Sequence, residues 1–234
     1  MTTSKSLGRQ RGFSLIELMV SVAILTVVIG VVVEGVTTMQ IRNTVEVNRV
    51  DLMQESRQFM DQITNDLHQS GFPRIGMFDP ATLVNAANCA VDPNVACGLV
   101  NISQNSIQFE GDVDGTGVSE EWIQLVQTNG PGAVPCTVPP CVIQRGTVLK
   151  ASWLLTGTQP PYYAEVNNVM NTTIFTASDH LGNQIVPPAI ASGNAWQFNI
   201  NSIGITLYVQ SSQVDPQTGV FPAVTMVSTV EIKD

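Results

Sequence analysis

The feature that most constrains this chain is an apolar run near its N-terminus, residues 13–33, which contains one ionisable residue, Glu17. A helix rises about 1.5 Å per residue, so this run spans about 31 Å, close to the roughly 30 Å hydrocarbon core of a bilayer. Its Leu, Ile, Val and Phe side chains favour insertion by about 4–8 kcal/mol in sum, which outweighs the about 2.5–3.5 kcal/mol cost of a charge at the centre of a membrane helix. We therefore predict a transmembrane helix over residues 13–33, and the acid within it requires a separate explanation.

The segment before this run is basic. Residues 1–12 contain Lys5, Arg9 and Arg11 and no acid, although the whole chain carries a formal net charge of −9. The positive-inside rule places residues 1–12 in the cytoplasm and everything after residue 33 outside it. A cleaved secretory signal would have a shorter apolar region followed by a small-residue cleavage site. A plain N-terminal anchor would leave Glu17 unexplained, and a buried core helix would leave the basic leader unexplained.

Residues 11–18, with the sequence RGFSLIEL, resemble the class III signal of type IV prepilins and type II secretion pseudopilins. The resemblance implies that a membrane peptidase cuts between Gly12 and Phe13 on the cytoplasmic side, and that Phe13 becomes the N-methylated first residue. Glu17 is then the fifth residue of the mature chain, as the family pattern requires. The resemblance covers about 20 residues.

The chemistry of this signal accounts for the buried acid. Cleavage removes the basic leader and creates an α-amino cation on Phe13, and a carboxylate in a low-dielectric medium is tolerated when a cation meets it. The resemblance implies that Glu17 pairs with the N-terminal amine of an adjacent subunit during assembly. The implied partners are other pilin subunits, the prepilin peptidase and methyltransferase, the inner-membrane assembly platform, and membrane lipid before assembly.

Residues 34–72 continue the helical pattern but become amphipathic. Val45, Leu52, Phe59, Ile63 and Leu67 recur at helical spacing and form one apolar stripe. The sequence at 70–73, Ser-Gly-Phe-Pro, predicts the helix end, since Gly favours a C-cap and Pro cannot continue a helix. Because no compact domain of this size buries such a helix along its whole length, we expect its first half to project and its second half to pack on a sheet.

Residues 73–234 change to short apolar runs separated by Gly, Pro, Asn and Asp, which predicts antiparallel strands. The candidate strands are residues 107–109, 122–127, 142–144, 148–155, 173–177, 196–200, 203–210 and 224–232. The expected fold is α+β: a long N-terminal transmembrane and stalk helix packed on an antiparallel β-sheet domain, a pilin-like lollipop. Residues 66–72 resemble the helix exit of PilW-type minor pilins, and the hairpin-like C-terminal end is similar in layout both to theirs and to the large minor pseudopilins of type II secretion. The size of the expected mature chain favours a minor over a major pilin, and the pseudopilin alternative stays open.

Four cysteines, Cys89, Cys97, Cys136 and Cys141, lie in the segment placed outside the cytoplasm, where disulfides persist. Three pairings are open. Local pairing, 89 with 97 and 136 with 141, closes two short loops and would contribute roughly 2–2.5 kcal/mol each on the chain-entropy model. A Cys₄ zinc site is disfavoured because only Cys136 and Cys141 approach its usual spacing.

Residues 110–121 form a second candidate site. Counted as a 12-residue calcium loop, they place acids at positions 1, 3, 5 and 12 and a glycine at position 6. The predicted ligands are Glu110, Asp112, Asp114, the Thr116 carbonyl and Glu121. Two departures from the EF-hand pattern are the Glu at position 1 and the strand-like flanks. The alternative is a solvent-exposed acidic turn without a metal, so the cofactor expectation is none required, with Ca²⁺ as the candidate.

No enzymatic chemistry is indicated. The two histidines, His68 and His180, lie on the predicted stalk and in a predicted turn, and the sequence contains no G-x-S-x-G, H-E-x-x-H, phosphate-loop or dinucleotide pattern. The acidic balance disfavours direct nucleic-acid binding. The predicted function is therefore that of a minor pilin of a type IV pilus-like filament, held in the inner membrane with its globular domain in the periplasm before assembly. The alternatives are a minor pseudopilin of type II secretion and an adhesin or binding module on a pilin stem.

Overall fold

The computed structural model describes residues 14–78, 81, 89–128, 133–157, 159–185, 189–190, 200–216 and 218–232. Gly12 and Phe13, the predicted cleavage and methylation positions, lie outside the described residues. The chain divides into two compact units, Met1–Glu46 and Val47–Asp234. This boundary falls inside the predicted stalk segment 34–72, whose limits stay predictions.

The N-terminal helix, α1, runs from Leu15 to Gln69 without a break. Its first turn is closed by the Ser14 carbonyl, which accepts the N–H groups of Glu17 and Leu18 at 3.0 and 3.1 Å. It ends where Gly71 adopts a φ of 80°, a left-handed conformation that glycine adopts without steric cost. The predicted long helix and its end at Ser-Gly are confirmed.

Burial along α1 is confined to its C-terminal part. Among the described residues of the helix the buried ones are Ser56, Phe59, Met60, Ile63, Asp66 and Leu67. The apolar members of this set join the main hydrophobic cluster with strands of the sheet. The i, i+4 spacing of Phe59, Ile63 and Leu67 places them on one face of the helix, which explains why this stripe is the buried one.

The sheet is antiparallel and comprises ten strands among the described residues. Their bounds are β1 Leu99–Ile102, β2 Ser106–Gly111, β3 Ser119–Val126, β4 Cys141–Leu149, β5 Tyr162–Val169, β6 Phe175–Ser178, β7 Gln184–Ile185, β8 Ala189–Ile190, β9 Ser202–Gln210 and β10 Ala223–Glu231. The order is β7-β6-β9-β5-β4-β3-β2-β1-β8, and β10 pairs with β9. The predicted fold class, a long N-terminal apolar helix followed by an antiparallel β-sheet domain, is confirmed.

One predicted strand is wrong in its second half. The strand expected over residues 148–155 ends at Leu149, and Lys150–Thr156 form a short helix, α2. Gly157, with φ of 62°, ends this helix. The apolar run indicated a strand, but its Trp153 packs edge-on against Trp122 of β3 at a centroid distance of 5.0 Å. Aromatic pairs favour this geometry, and the contact depends on tertiary structure that a local pattern does not reveal.

The strand β5 was not expected from the sequence. Its polar residues Glu165, Asn167 and Asn168 interrupt the apolar alternation, and Asn168 has a positive φ of 54°. The register between β4 and β5 is shifted at two places, so the strand is irregular. The predicted strand over 196–200 falls largely outside the described residues.

Candidate functional site

Glu17 lies in the first turn of α1, in the midst of exposed apolar side chains. Leu15, Ile16, Leu18 and Met19 are 59–77% exposed, and Glu17 is itself exposed. No ion pair joins Glu17 to another residue in the part of the chain that the structure describes. The carboxylate is therefore available to a cation that the described residues do not supply.

The same helix is long and apolar enough to cross a membrane, judged by length and composition alone. Its most apolar 18-residue window has a mean hydropathy of 2.7 and no buried residue. The hydroxyls of Ser21 and Thr26 donate to the carbonyls four residues earlier, at 2.7 and 2.8 Å. These polar groups are satisfied within the helix, as a lipid environment requires.

A buried ionic cluster joins the second half of α1 to the sheet. The Arg145 guanidinium contacts Asp66 of α1 at 2.8 Å and Glu121 of β3 at 3.0 Å. The Thr147 hydroxyl donates a further hydrogen bond of 2.8 Å to Glu121. Burial raises the pKa of both Asp66 and Glu121, and the nearby guanidinium offsets part of that rise. We name Asp66, Glu121 and Arg145 the helix–sheet cluster.

A second cluster lies on the other face of the sheet. Lys150, which is fully buried, donates to the Glu110 carboxylate at 2.6 Å and to the carbonyls of Cys89 and Val95 at 2.5 and 2.7 Å. Glu110 also accepts the Cys97 backbone N–H at 2.7 Å. The ammonium thus holds the segment that carries one disulfide against the sheet.

The second cluster also contains Glu120, which lies beside the acid Glu110. It stands opposite Glu110 in the β2–β3 ladder and accepts a hydrogen bond of 2.9 Å from the Gln108 amide. Burial, together with the neighbouring Glu110 carboxylate, raises the pKa of Glu120 to about 8. These surroundings therefore favour the protonated form of the Glu120 carboxyl. We name Glu110, Glu120 and Lys150 the outer-face cluster.

Both disulfides of the local pairing are present. Cys89 bonds to Cys97 and Cys136 bonds to Cys141, and no cysteine is free. Of the three pairings that the sequence left open, the structure therefore shows the local one. The first disulfide packs beside Lys150, and the second closes the loop that leads into β4.

The structure does not bring the five predicted calcium ligands together. Phe109 stands opposite Glu121, and Glu110 stands opposite Glu120, so Glu110 and Glu121 point to opposite faces of the sheet. Each is engaged by a different buried cation, Lys150 or Arg145. No group of three or more His, Cys, Asp or Glu side chains among the described residues is arranged to hold a metal ion.

The remaining loop carboxylates make local contacts. Asp112 accepts the Gly117 N–H at 3.2 Å, and Asp114 accepts the N–H and hydroxyl of Thr116 at 3.0 and 2.7 Å. The hydrogen bond from the Thr116 hydroxyl is the main reason that the pKa of Asp114 lies below its ordinary value. Calcium binding by this loop stays a prediction, and Asp112 and Asp114 are the carboxylates that would serve it. A calorimetric titration with calcium, repeated on the variant Asp114→Asn, tests it.

Sequence reasoning singled out Glu17, Glu110 and Glu121 but missed the cations that engage the last two. Arg145 lies two residues after buried Ile143 on β4, at a position of the same strand alternation. Lys150 directly follows this largely apolar strand. A lone charge at an inward position of an alternating strand was the available signal. Its partners, however, lie at least 24 residues away in the sequence, as Glu121 does from Arg145.

The comparison with known families bears on the N-terminus. Residues 7–33 match the family model described as a prokaryotic N-terminal methylation motif. No curated protein and no solved structure matches the chain significantly. The motif supports a type IV pilin- or pseudopilin-like protein, with processing by a prepilin peptidase and assembly with other pilin-type subunits in general. Proteins that carry this motif are generally structural rather than enzymatic.

Proposed function

We propose that this chain is a minor pilin, a structural subunit of a type IV pilus-like filament that acts in priming, in assembly or at the tip. The observation that carries the proposal is the methylation motif at residues 7–33, combined with an exposed acid, Glu17, in the first turn of an exposed apolar helix. An isolated carboxylate among lipid-compatible side chains is costly unless a cation meets it. The mature N-terminus of a neighbouring subunit supplies such a cation.

In this proposal the peptidase cuts between Gly12 and Phe13, and the amine of Phe13 is methylated and keeps its positive charge. Before assembly the helix lies in the inner membrane with its N-terminus in the cytoplasm. The β-sheet domain then lies in the periplasm, and the two disulfides agree with that oxidising compartment. The assembly platform of the inner membrane would extract the subunit into the filament.

The first experiment is mass spectrometry of the protein recovered from sheared surface filaments. We expect a chain that begins at Phe13, carries one methyl group and retains both disulfides. A chain recovered with its first twelve residues intact would contradict the proposal. A mature chain found in the inner membrane and never in surface filaments would instead identify a pseudopilin of a secretion system, which is the alternative reading of the same motif.

The second experiment tests the role of the acid. Glu17→Ala is expected to be inserted and cleaved normally but to be depleted from filaments, because the pairing group for the neighbour's amine is lost. Glu34→Ala is the matched control, since it removes an exposed acid from the same helix beyond the predicted membrane segment. Equal incorporation of the two variants into filaments would contradict the pairing role of Glu17.

A glycan- or surface-binding assay on the full chain tests whether the β-sheet domain also acts as an adhesin. Binding that persists in Glu17→Ala would assign that activity to the sheet domain and not to assembly.

A further inference from the structure

The strand β10 leaves one long edge of the sheet without a partner among the described residues. It pairs with β9 along its whole length, from Ala223 opposite Gln210 to Glu231 opposite Ser202, and with no other strand. The strands at the two ends of the principal strand order, β7 and β8, contain two residues each. Short terminal strands are a common protection against edge-to-edge pairing, and β10, with nine residues, lacks this protection.

The hydrogen bonds that flank β10 show which of its backbone groups face the edge. Ser211 donates to the carbonyl of Pro222, and Ile232 donates to the carbonyl of Asn201, at 2.7 and 2.9 Å. These contacts follow the same register as the ladder, so the even-numbered residues of β10 exchange their hydrogen bonds with β9. The odd-numbered residues therefore direct their N–H and C=O groups to the edge: Ala223, Thr225, Val227, Thr229 and Glu231.

The central part of β10 carries none of the features that usually prevent pairing at an edge, and its one charge, Glu231, lies at the end of the strand. Between Ala223 and Glu231 there is no Lys, no Pro and no bulge, and the register to β9 is continuous. The side chains of the odd-numbered residues are exposed, and Val227, at the middle of the strand, is 69% exposed. Natural edge strands that must stay unpaired commonly carry a charge, a proline or a bulge at such a position.

The edge is also complementary to itself. If a second copy of β10 lies antiparallel with Val227 at the two-fold axis, Thr225 stands opposite Thr229 of the second copy and Val227 stands opposite Val227. Thr–Thr and β-branched pairs are favourable cross-strand neighbours. Glu231, the one charged residue of the strand, then faces Ala223, so no like charges meet. An interface in which the same surface serves both subunits is the pattern of two-fold dimers.

We propose that this chain pairs with a second copy of itself by antiparallel addition of β10 to β10, centred on Val227. The inference does not depend on the proposed pilin function, because it rests on the sheet domain alone. The odd-numbered residues of each copy exchange their edge hydrogen bonds, which joins the two sheets into one. Because the chain carries a net charge of −9, salt should strengthen the dimer by screening the repulsion between copies.

Cross-linking of the full chain in detergent micelles tests the position of the axis. In Val227→Cys the two Cα atoms would lie about 5.5 Å apart in a hydrogen-bonded pair, within the range that a disulfide spans. Thr206→Cys is the matched control: Thr206 is exposed and stands opposite Val227, but one strand further from the axis in each copy. Its two Cα atoms would be about 14 Å apart, beyond disulfide reach. Selective formation of a covalent dimer by Val227→Cys supports the proposal, and equal cross-linking of both variants, or of neither, overturns it.

Charge substitution tests the pairing itself, with the dimer fraction measured by light scattering of the full chain in micelles. Val227→Lys and Val227→Asp each place like charges opposite one another, so we expect each to weaken the dimer by at least about tenfold. A one-to-one mixture of the two should restore a mixed dimer, whereas Val227→Thr should associate like the wild type.

Three results would overturn the proposal. The first is a wild-type chain that stays monomeric at every concentration tested. The second is association of Val227→Lys equal to that of the wild type, which would place the contact on the apolar helix. The third is a mixture of the two charged variants that fails to associate, which would show that residue 227 of one copy does not face residue 227 of the other.

Discussion

The two halves of α1 belong to one continuous helix, yet they have opposite relations to the rest of the chain. From Leu15 to Val36 the large apolar side chains are all at least half exposed, whereas Phe59, Met60, Ile63 and Leu67 are at most 6% exposed. The apolar surface of the second half is covered by the sheet of the same chain. The apolar surface of the first half has no cover in the described residues, and such a surface marks a place for lipid or for another subunit.

The acids of the two halves repeat this contrast. Asp66 is buried and contacts the Arg145 guanidinium, while Glu17 is exposed and has no ion-pair partner among the described residues. A carboxylate in apolar surroundings needs a cation in either case. The second half obtains its cation from β4, whereas the first half must obtain it from outside the described chain. The comparison predicts that changes in the second half alter folding and that changes in the first half alter assembly.

The largest expected effect follows from removal of the shared cation. Arg145→Met leaves Asp66 and Glu121 buried without their charge partner, which should lower the free energy of unfolding by about 3–5 kcal/mol. Denaturant unfolding of the full chain in micelles, followed by tryptophan fluorescence, measures this loss. Arg57→Met, at an exposed position of α1, is the control and should change stability by less than about 0.5 kcal/mol. Similar losses in both variants would contradict the structural role assigned to the helix–sheet cluster.

The same truncation at two positions of α1 compares its halves directly. Ile63 is 1% exposed and Ile24 is 61% exposed. Ile63→Ala should lower the free energy of unfolding by about 2–5 kcal/mol because it leaves a cavity, and Ile24→Ala should leave it nearly unchanged. The same fluorescence-detected unfolding measures both. A comparable loss in Ile24→Ala would mean that the first half also packs within its own chain.

The pH dependence of stability reports on the buried acid Glu120, whose neighbour is another acid, Glu110. Glu120 has a folded pKa of about 8 against an ordinary value of 4.5, so the folded protein holds a proton that the unfolded chain releases. Stability should therefore fall as pH rises from about 4.5 to about 8 and then level off. The burial-raised pKa values of Asp66 and Glu121 act in the same direction.

The variant Glu120→Gln isolates the contribution of that one residue. The amide of glutamine resembles a protonated carboxyl but does not titrate. The melting temperature of Glu120→Gln should therefore fall less with rising pH than that of the wild type. A wild type and a variant with the same pH profile would show that Glu120 is ionised in the folded state.

The smallest expected effect on folding belongs to the acid with the largest expected effect on assembly. Glu17→Ala removes an exposed side chain that makes no ion pair with the described residues, so the free energy of unfolding should change by less than about 0.5 kcal/mol. Thermal unfolding of the full chain in micelles measures it. A destabilisation of several kcal/mol would place the cation of Glu17 within its own chain.

The local patterns of the sequence anticipated the elements that depend on neighbouring residues. The helix end at Ser70 and Gly71 follows from the conformational preference of glycine, and the buried stripe of Phe59, Ile63 and Leu67 follows from helical spacing. The local patterns left three disulfide pairings open, and the structure shows the one that joins cysteines 8 and 5 positions apart. In contrast, β5 was missed, because its pairing with β4 sustains a strand that its own polar sequence does not indicate.

The sequence by itself determined that the chain has a membrane-compatible helix with one acid, a methylation motif and an antiparallel sheet domain, because these properties depend on composition and short-range spacing. Only the tertiary structure decided which charges meet. Glu110 and Glu121 belong to one acidic loop in the sequence, but the strand pairing sends them to opposite faces, one to Lys150 and the other to Arg145. Side-chain direction alternates along a strand, and the partner on each face comes from a distant segment of the chain. The ionic contacts are therefore determined by strand register, and the spacing of acids in the loop does not predict them.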